Sequence, residues 1–268
     1  MAINALQSAA SALSALNTAL DVTANNLANV NTAGFKSSRV NFQDLLYVEK
    51  AQPGSVNANG DQRPIGLSVG LGTRISGTQR DFASGSAQFT GRPLDVMING
   101  EGFLVVGTED AIGGGVAYTR AGNLALNRDG EIVMANDQGR RLQPSITIPP
   151  EAQDISIGAD GLVTYLVPGD TTVTEAGRIE ISTFVNPAGL RQVGENLFAE
   201  TDASGAPTTG FPGDANRGKL SQNFLEASNV DPTRELIDLI RTQRAFEMNS
   251  QSIRAADETL RNVGQLTR

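Results

Sequence analysis

The chain has 268 residues, of which 21 are basic and 29 acidic, and this gives it a formal net charge of -8. Because a nucleic-acid binder needs a basic surface to meet phosphates, the balance of charge argues against that class of protein. The chain contains neither histidine nor cysteine, which excludes disulfides, catalysis by a thiolate or a histidine triad, and the usual zinc sites. We therefore expect no cofactor and no metal.

The N-terminal residues 1–34 predict an amphipathic helix. Between Met1 and Phe35 the only charged side chain is Asp21, so this helix is expected to pack on several sides rather than keep one face in water. Gly34 suits the left-handed position that ends a helix. The apolar side chains follow a heptad pattern; they are Leu6, Leu13, Leu16, Leu20, Leu27 and Val30.

Three asparagines in this segment are unusual, because asparagine is a poor helix former. Asn25, Asn26 and Asn29 fit a helix that is packed on several sides, provided that each amide finds a hydrogen-bond partner. Asn25 and Asn29 would share one helix face, away from the leucines, so we expect them to bond to neighbouring copies of the chain. The alternative is an intramolecular helical hairpin with one wet polar face.

The middle of the chain predicts β structure, with an extended region over residues 35–92 and a β-rich outer domain over residues 93–225. Asn-Gly and Asp-Gly dipeptides between apolar runs are strong hairpin signals, and they occur at Asn99-Gly100, Asp129-Gly130 and Asp160-Gly161. A further strand is predicted from Arg178. The polar residues 51–64 are rich in turn formers and predict an extended loop.

The C-terminal residues 226–268 predict a second helix. Asp231 followed by Pro232 is a strong start, because it combines an N-cap acceptor with a proline at the first helical position. The apolar residues of this helix also repeat every seven positions and form a widened stripe; they include Leu236, Leu239, Ile240, Phe246, Ile253 and Leu260.

Neither helix can bury its apolar stripe alone, and each large apolar side chain left in water forgoes roughly 1.5–3 kcal/mol. We therefore predict an α+β protein in which the two terminal helices pair as a coiled-coil-like core domain, followed by packing against copies from neighbouring subunits. The N-terminus lacks the pattern of a cleavable secretory signal, and no run of about 18 apolar residues could span a bilayer. Any export is expected to use another route than the general secretory one.

Catalysis has little support in the sequence. A glycosidase with a pair of carboxylates needs neither histidine nor cysteine, but the candidates Glu101, Asp110, Asp129 and Glu131 lie beside predicted turns. The chain has no tryptophan to stack on a sugar, which also weakens a carbohydrate-binding β module. We expect a protein that is not an enzyme.

The two terminal segments resemble those of the bacterial flagellar axial proteins, which form the rod and hook. "ANNLANVNTAGFK" from Ala24 and "EASNVDPTRELIDLIRTQRAFEMNSQSI" from Glu226 are similar to the terminal signatures of that family. Four internal segments are similar, in the same order, to its distal rod members: "FQDLLY" from Phe42, "LDVMINGEGFL" from Leu94, "AYTRAGNL" from Ala117 and "GENLFAET" from Gly194. Residues 47–64 resemble an insertion that distinguishes the distal rod from the flexible hook, which implies a stiffening role.

The resemblance implies a structural subunit of the flagellar basal body, in the rod that spans the periplasm. Such subunits leave the cell unfolded through the flagellar type III export apparatus and assemble into a helical tube that transmits torque from the motor to the hook. Their terminal helices form an inner core around an export channel. The implied partners are further copies of the chain, other rod subunits, the hook protein and the surrounding periplasmic and outer-membrane ring proteins, with no nucleic acid and no direct membrane insertion.

The residues of both motifs are carried over as self-assembly residues, in addition to the heptad positions. In the N-terminal helix these are Asn25, Asn26, Leu27, Asn29, Asn31, Gly34 and Phe35. In the C-terminal helix they are Asn229, Asp231, Leu236, Ile240, Gln243, Arg244 and Asn249. The alternatives are a hook or proximal rod subunit of the same family and, in a different class, a secreted β module that a coiled coil oligomerises.

Overall fold

The computed structural model describes residues 2–55, 61–62, 64–110, 113–169, 172–214 and 216–266. The chain divides into two compact units. Unit 1 comprises Met1–Ala28, Ser38–Arg80 and Asp231–Arg268, and unit 2 comprises Asn29–Ser37 and Asp81–Val230. Unit 1 contains both helices, and unit 2 is built from strands, so the predicted α+β class with paired terminal helices and a β-rich middle is confirmed.

Unit 1 consists of two helices that pack together and two small antiparallel sheets. Its elements are α1 (Ala2–Ala28), β1 (Ser38–Asp44), β2 (Tyr47–Ala51), β3 (Leu67–Gly70), β4 (Thr73–Arg80) and α2 (Pro232–Leu266). β1 pairs with β4 and β2 pairs with β3, and α1 also packs against β1 and β4. Over its described residues, neither helix has the apolar length that crossing a bilayer requires.

The most buried positions of α1 are small. Ala15, Ala19 and Asn26 are at most 9% exposed, whereas the leucines of the heptad pattern are half-buried. Small side chains let neighbouring backbones approach closely, and Gly72 serves the same end, because a Cβ at this position would collide with Ser11 Oγ. Close backbone packing therefore accounts for the alanine- and serine-rich character of this helix.

The prediction that the N-terminal helix reaches Gly34 is wrong, since α1 ends at Ala28. Turns and bends follow. In them the Thr32 amide donates to the carbonyl of Asn29 and the Thr32 hydroxyl donates to Asn29 Oδ1, and both distances are 3.1 Å. Local bonding of this kind is the reason that asparagine favours turns over helix interiors. The expected helix face shared by Asn25 and Asn29 therefore does not exist.

The predicted start of the C-terminal helix is confirmed. Asp231 Oδ1 accepts hydrogen bonds from the amides of Thr233 (2.9 Å) and Arg234 (3.3 Å), as an N-cap does. Proline then occupies the first helical position. The helix begins there rather than at Glu226, which ends the preceding strand.

The described strands of unit 2 are β5 (Ala87–Phe89), β6 (Val96–Asn99), β7 (Phe103–Gly107), β8 (Val116–Thr119), β9 (Leu124–Leu126), β10 (Ile132–Met134), β11 (Gln153–Ile157), β12 (Leu162–Leu166), β13 (Thr174–Arg178), β14 (Ile181–Thr183), β15 (Arg191–Gly194), β16 (Leu197–Ala199), β17 (Thr208–Gly210), β18 (Lys219–Gln222) and β19 (Phe224–Glu226). They form a six-stranded antiparallel sheet in the order β15-β16-β8-β7-β14-β17, a three-stranded sheet β11-β12-β13, and the pairs β9–β10, β6–β18 and β5–β19.

Two of the three predicted hairpins are confirmed. Asp129-Gly130 joins β9 to β10, and Asp160-Gly161 joins β11 to β12. The prediction of a hairpin at Asn99-Gly100 is wrong, because β6 pairs with β18, which lies far along the chain. A Cβ at Gly100 would lie 2.9 Å from Gly218 Cα, so the two glycines allow the returning chain to come close to β6.

The six-stranded sheet has a hydrophobic cluster on each face. Along β7, Leu104 and Val106 belong to a large aliphatic cluster, and Phe103 and Val105 belong to an aromatic one, as expected from the two-residue alternation of a strand. The aromatic cluster packs edge to face; it contains Phe103, Tyr118, Phe184 and Phe198. Unit 2 therefore buries most of its large apolar side chains within itself, with Phe89, Val173 and Val185 left exposed.

Candidate assembly surface

The α2 helix presents apolar side chains on two faces. Glu235 accepts a hydrogen bond from Asn26 of α1 (3.1 Å), which directs its face toward α1. Leu239, Phe246 and Ile253 share this face by helical periodicity and are half-buried. The side chain of Leu260 lies outside the described residues. One half of the predicted stripe thus packs inside unit 1.

The second apolar face of α2 is exposed. Leu236, Ile237, Ile240 and Met248 are between 44% and 62% exposed, and the last three lie on the side of the helix opposite to Phe246. A surface helix of a protein that acts alone carries polar residues on this side, so these exposed apolar side chains are candidates for an interaction surface. Gln243 and Arg244 are exposed as well, and Asn249 donates to the carbonyl of Ala245 within the helix (2.9 Å).

The exposed face of α1 is small and nearly uncharged. Its residues are Gln7, Ala10, Ser14, Asn17, Thr18, Asp21, Ala24, Asn25 and Ala28. Such a face has neither the charge that keeps a helix well solvated nor the bulk that would hold a neighbouring backbone away. It fits close packing against another element.

The strands of unit 1 also leave large apolar side chains exposed. They are Phe42, Leu46, Tyr47, Val48, Ile65 and Leu67. Most of them lie on or beside the two-stranded pair β2–β3, and a ribbon of two strands is marginally stable on its own in water. The predicted insertion 47–64 overlaps this ribbon, and its residues 56–60 and 63 lie outside the described residues.

Asn26 joins three elements of unit 1. Its Nδ2 donates to the Ser38 carbonyl (2.8 Å) and to Glu235, and its Oδ1 accepts from the Ser38 amide (2.9 Å). Burial raises the pKa of the Glu235 carboxyl, and the hydrogen bond from Asn26 opposes that change. Of the three asparagines singled out in the sequence, Asn26 is the buried one, and its described bonds lie inside the subunit.

The two terminal motifs meet inside unit 2. Lys36 Nζ lies 2.6 Å from Glu226 Oε1, and both side chains are fully buried. Arg120 approaches the other oxygen of Glu226 at 3.4 Å and donates to the carbonyl of Gly100 at 2.7 Å. Lys36 also donates to the carbonyl of Ala83 at 2.8 Å. A cluster of two cations and one anion thus links three distant segments of the chain.

Burial affects both cations of this cluster. It lowers the pKa of Lys36 and of Arg120, and the neighbouring Glu226 opposes the change for both residues. None of the three was among the self-assembly residues expected from the sequence. The available signal was the position of Lys36, which with Asp21 supplies the only charges in the first 38 residues.

Gly34 and Phe35 belong to the same junction. Gly34 has a φ of +71°, as predicted, but it ends no helix. Its amide donates to the carbonyl of Glu226 (2.8 Å), and a Cβ at Gly34 would lie 2.6 Å from the amide nitrogen of Ala121. Glycine is therefore required for close approach of two backbones. Phe35 is buried and Asn31 is exposed.

Unit 2 contains a cleft of about 380 Å³. Phe82, Phe103, Phe184 and Arg120 line it, and Glu101 is the single carboxylate among the described residues that line it. The carboxylate pair of a glycosidase needs a second acid facing the first. Glu131, another candidate, pairs instead with Arg141 at 3.0 Å.

Three protein-family profiles match the chain: "Flagella basal body rod protein" over residues 6–36, "Flagellar hook protein FlgE/F/G D1 domain" over residues 97–165 and "Flagellar basal body rod FlgEFG protein C-terminal" over residues 221–266. The flagellar basal-body rod protein FlgG of Caulobacter vibrioides is 42% identical over 98% of this chain and 99% of its own length. FlgG of Bacillus subtilis is 38% identical over 99% of this chain and 100% of its own length. FlgF of Salmonella typhimurium is 31% identical over 91% of this chain and 90% of its own length. The chain therefore belongs to the family of flagellar basal-body rod proteins, which are structural proteins of the bacterial flagellum.

Proposed function

We propose that this chain is a subunit of the flagellar distal rod. It self-assembles into a helical tube that crosses the periplasm, transmits torque from the motor to the hook and encloses the export channel. Its partners are copies of itself, other rod subunits, the hook protein and the surrounding ring proteins, and it reaches its place through the type III export apparatus. Among the relatives, the higher identity to FlgG than to FlgF supports the distal rod over another rod position.

The observation that carries the proposal is the exposed apolar face of α2. A contact between this face and a different surface of the next copy is heterologous, and such contacts build an open helix of subunits when they do not close into a ring. The small, nearly uncharged face of α1 supplies a surface that a neighbouring helix can approach closely. We assign the inner wall of the tube to the two helices.

The self-assembly residues proposed from the motifs divide into two groups. Those exposed in the single subunit can be reached by other copies; they are Asn25, Asn31, Asp231, Leu236, Ile240, Gln243 and Arg244. The buried or half-buried ones shape the subunit that presents these contacts; they include Asn26, Leu27, Gly34, Phe35 and Asn229. We extend the exposed group with the apolar side chains of β2–β3, through which the insertion would stiffen the rod.

Electron cryo-tomography of basal bodies in a strain that lacks this gene tests the proposal. We expect a rod that stops within the periplasm and bears no hook. A complete rod that lacks only the hook would assign the chain to the hook subunit instead, and a shorter stub would assign it to the proximal rod. Normal flagella would contradict every axial assignment and favour the secreted β module.

A further inference from the structure

The chain passes between the two units at four peptide bonds. Residues 29–37 leave α1, dock in unit 2 and return to β1 in unit 1, and two further passages follow Arg80 and Val230. Domains are more often joined by a single flexible linker that few contacts cross. Four covalent passages can share a load that one linker would carry alone.

The unit 2 ends of three passages are tied together by one side chain. Asn229 Oδ1 accepts a hydrogen bond from the amide of Ser37 (2.7 Å), and its Nδ2 donates to the carbonyls of Asp81 (2.9 Å) and Ala83 (3.3 Å). The amide of Asp81 also donates to the carbonyl of Ser37 (2.9 Å). Residues 37, 81 and 229 each lie within two positions of a passage, so these bonds hold the passages side by side.

A second layer of bonds lies directly behind the first. Glu226 Oε1 accepts from Lys36 Nζ (2.6 Å) and from the amide of Gly85 (2.9 Å), so the carboxylate joins the same three segments again. Ala83 completes the layer by accepting from Lys36. Because the pair is buried, its bonds do not exchange readily with water, and removal of one partner leaves an uncompensated charge.

We propose that Asn229, Lys36 and Glu226 form a clasp that makes three chain passages act as one mechanical connection. A load on a single untied passage would open the bonds at that passage one after another. With the clasp, the bonds of three segments must break together before any passage can be drawn out of unit 2. The proposal rests on the function in the distal rod, where each subunit bears torque.

Hydrogen exchange of the purified full-length chain tests the clasp itself. Asn229→Ala removes three hydrogen bonds, and exchange is expected to rise by about tenfold or more in residues 34–38, 81–86 and 226–230 together. Exchange in β7 should stay unchanged. The control Asn186→Ala loses one bond, to the carbonyl of Ala203 (3.0 Å), and should leave exchange in these segments unchanged.

A rise in exchange confined to residues 226–230, or one spread evenly through unit 2, would overturn the clasp. If Asn229→Ala does not fold, Lys36→Met decides by the same readout.

The mechanical role is tested in cells that carry Lys36→Met in place of the native gene. Glu226 keeps Arg120 as a partner in this variant, and the matched control is Lys219→Met at an exposed lysine of unit 2. We expect normal numbers of hooks for both, but a loss of swimming in viscous medium for Lys36→Met alone. Equal swimming would overturn the role in load bearing, and so would a variant that folds but forms no hooks. If the native gene, returned to a strain that lacks it, did not restore hooks, the proposed function would be refuted instead. The exchange experiment would stay valid for the clasp.

Discussion

Unit 1 and unit 2 differ in how many of their large apolar side chains they bury. Unit 2 buries most of them in two clusters on either side of one sheet and leaves Phe89, Val173 and Val185 exposed. Unit 1 leaves large apolar residues exposed along α2 and around β2–β3. Since each such residue gains stability on burial, we propose that unit 2 is a finished domain and that neighbouring copies complete unit 1. On this proposal, the division separates folding from assembly within a single chain.

The largest expected effect comes from a charge on the exposed face of α2. Ile240→Asp should abolish rod and hook formation, because the contact between copies would bury an unpaired carboxylate. The isolated chain should keep its thermal stability, because the side chain is 48% exposed in the subunit. Hook counts by electron microscopy and circular dichroism check the two halves of this prediction.

Ile240→Leu is the control for this experiment, since it keeps an apolar side chain of the same size. Normal hooks with Ile240→Asp would mean that the exposed face is not an assembly contact.

The next largest effect concerns the finished domain. Glu226→Gln should destabilise unit 2 by about 3–5 kcal/mol, because Lys36 and Arg120 would stay buried without an anion. The matched change Asp160→Asn breaks an ion pair in which both side chains are more than a third exposed, and it should cost about 1 kcal/mol or less. Urea denaturation followed by circular dichroism measures both. Equal losses for the two variants would show that burial does not set the importance of the Glu226 pair.

A dependence on pH follows from Lys36. Burial lowers the pKa of this amine below its ordinary value of 10.5, so the unfolded chain binds more protons than the folded chain in the interval between the two values. The free energy of unfolding should therefore rise with pH in that interval, by at most about 1.4 kcal/mol per pH unit. The stability of the native chain minus that of Lys36→Met, measured by denaturation at a series of pH values below 10.5, isolates this contribution. A difference that stays constant or falls with pH would contradict it.

The smallest effect is expected at the start of α2. Asp231→Ala removes the acceptor for two helix amides and should cost about 1 kcal/mol. It should increase hydrogen exchange in the first turn of the helix without affecting unit 2. Asp238→Ala, in an exposed pair with Arg241, should cost about 0.5 kcal/mol or less. If hydrogen exchange in the first turn of α2 rose equally in both variants, loss of the N-cap would not be the cause of the rise.

Sequence patterns identified the elements whose determinants are local. Asp231 and Pro232 gave the start of α2, and two Asp-Gly dipeptides gave two hairpins. The end of α1 was missed because the hydrogen bonds between Asn29 and Thr32 compete with a heptad pattern that continues to Val30. The hairpin at Asn99-Gly100 was missed because a turn signal carries no information about a partner strand far along the chain.

The site was predictable to a similar degree. Heptad spacing located the apolar residues of α2, but it did not separate the face that packs on α1 from the face that remains exposed. Asn229 was identified by its motif, whereas its bonds to three backbone segments depend on the fold. The cluster of Lys36, Arg120 and Glu226 brings together single charges from three separate segments, and no spacing rule relates them.

Hydrogen exchange of the chain in solution and in isolated basal bodies tests most directly whether neighbouring copies complete unit 1. We predict that the amides of α2 exchange rapidly in the free chain and become protected by orders of magnitude in the rod, while those of β7 and β8 are protected equally in both. Helix amides as well protected in the free chain as in the rod would contradict the division, because unit 1 would then be complete without its neighbours.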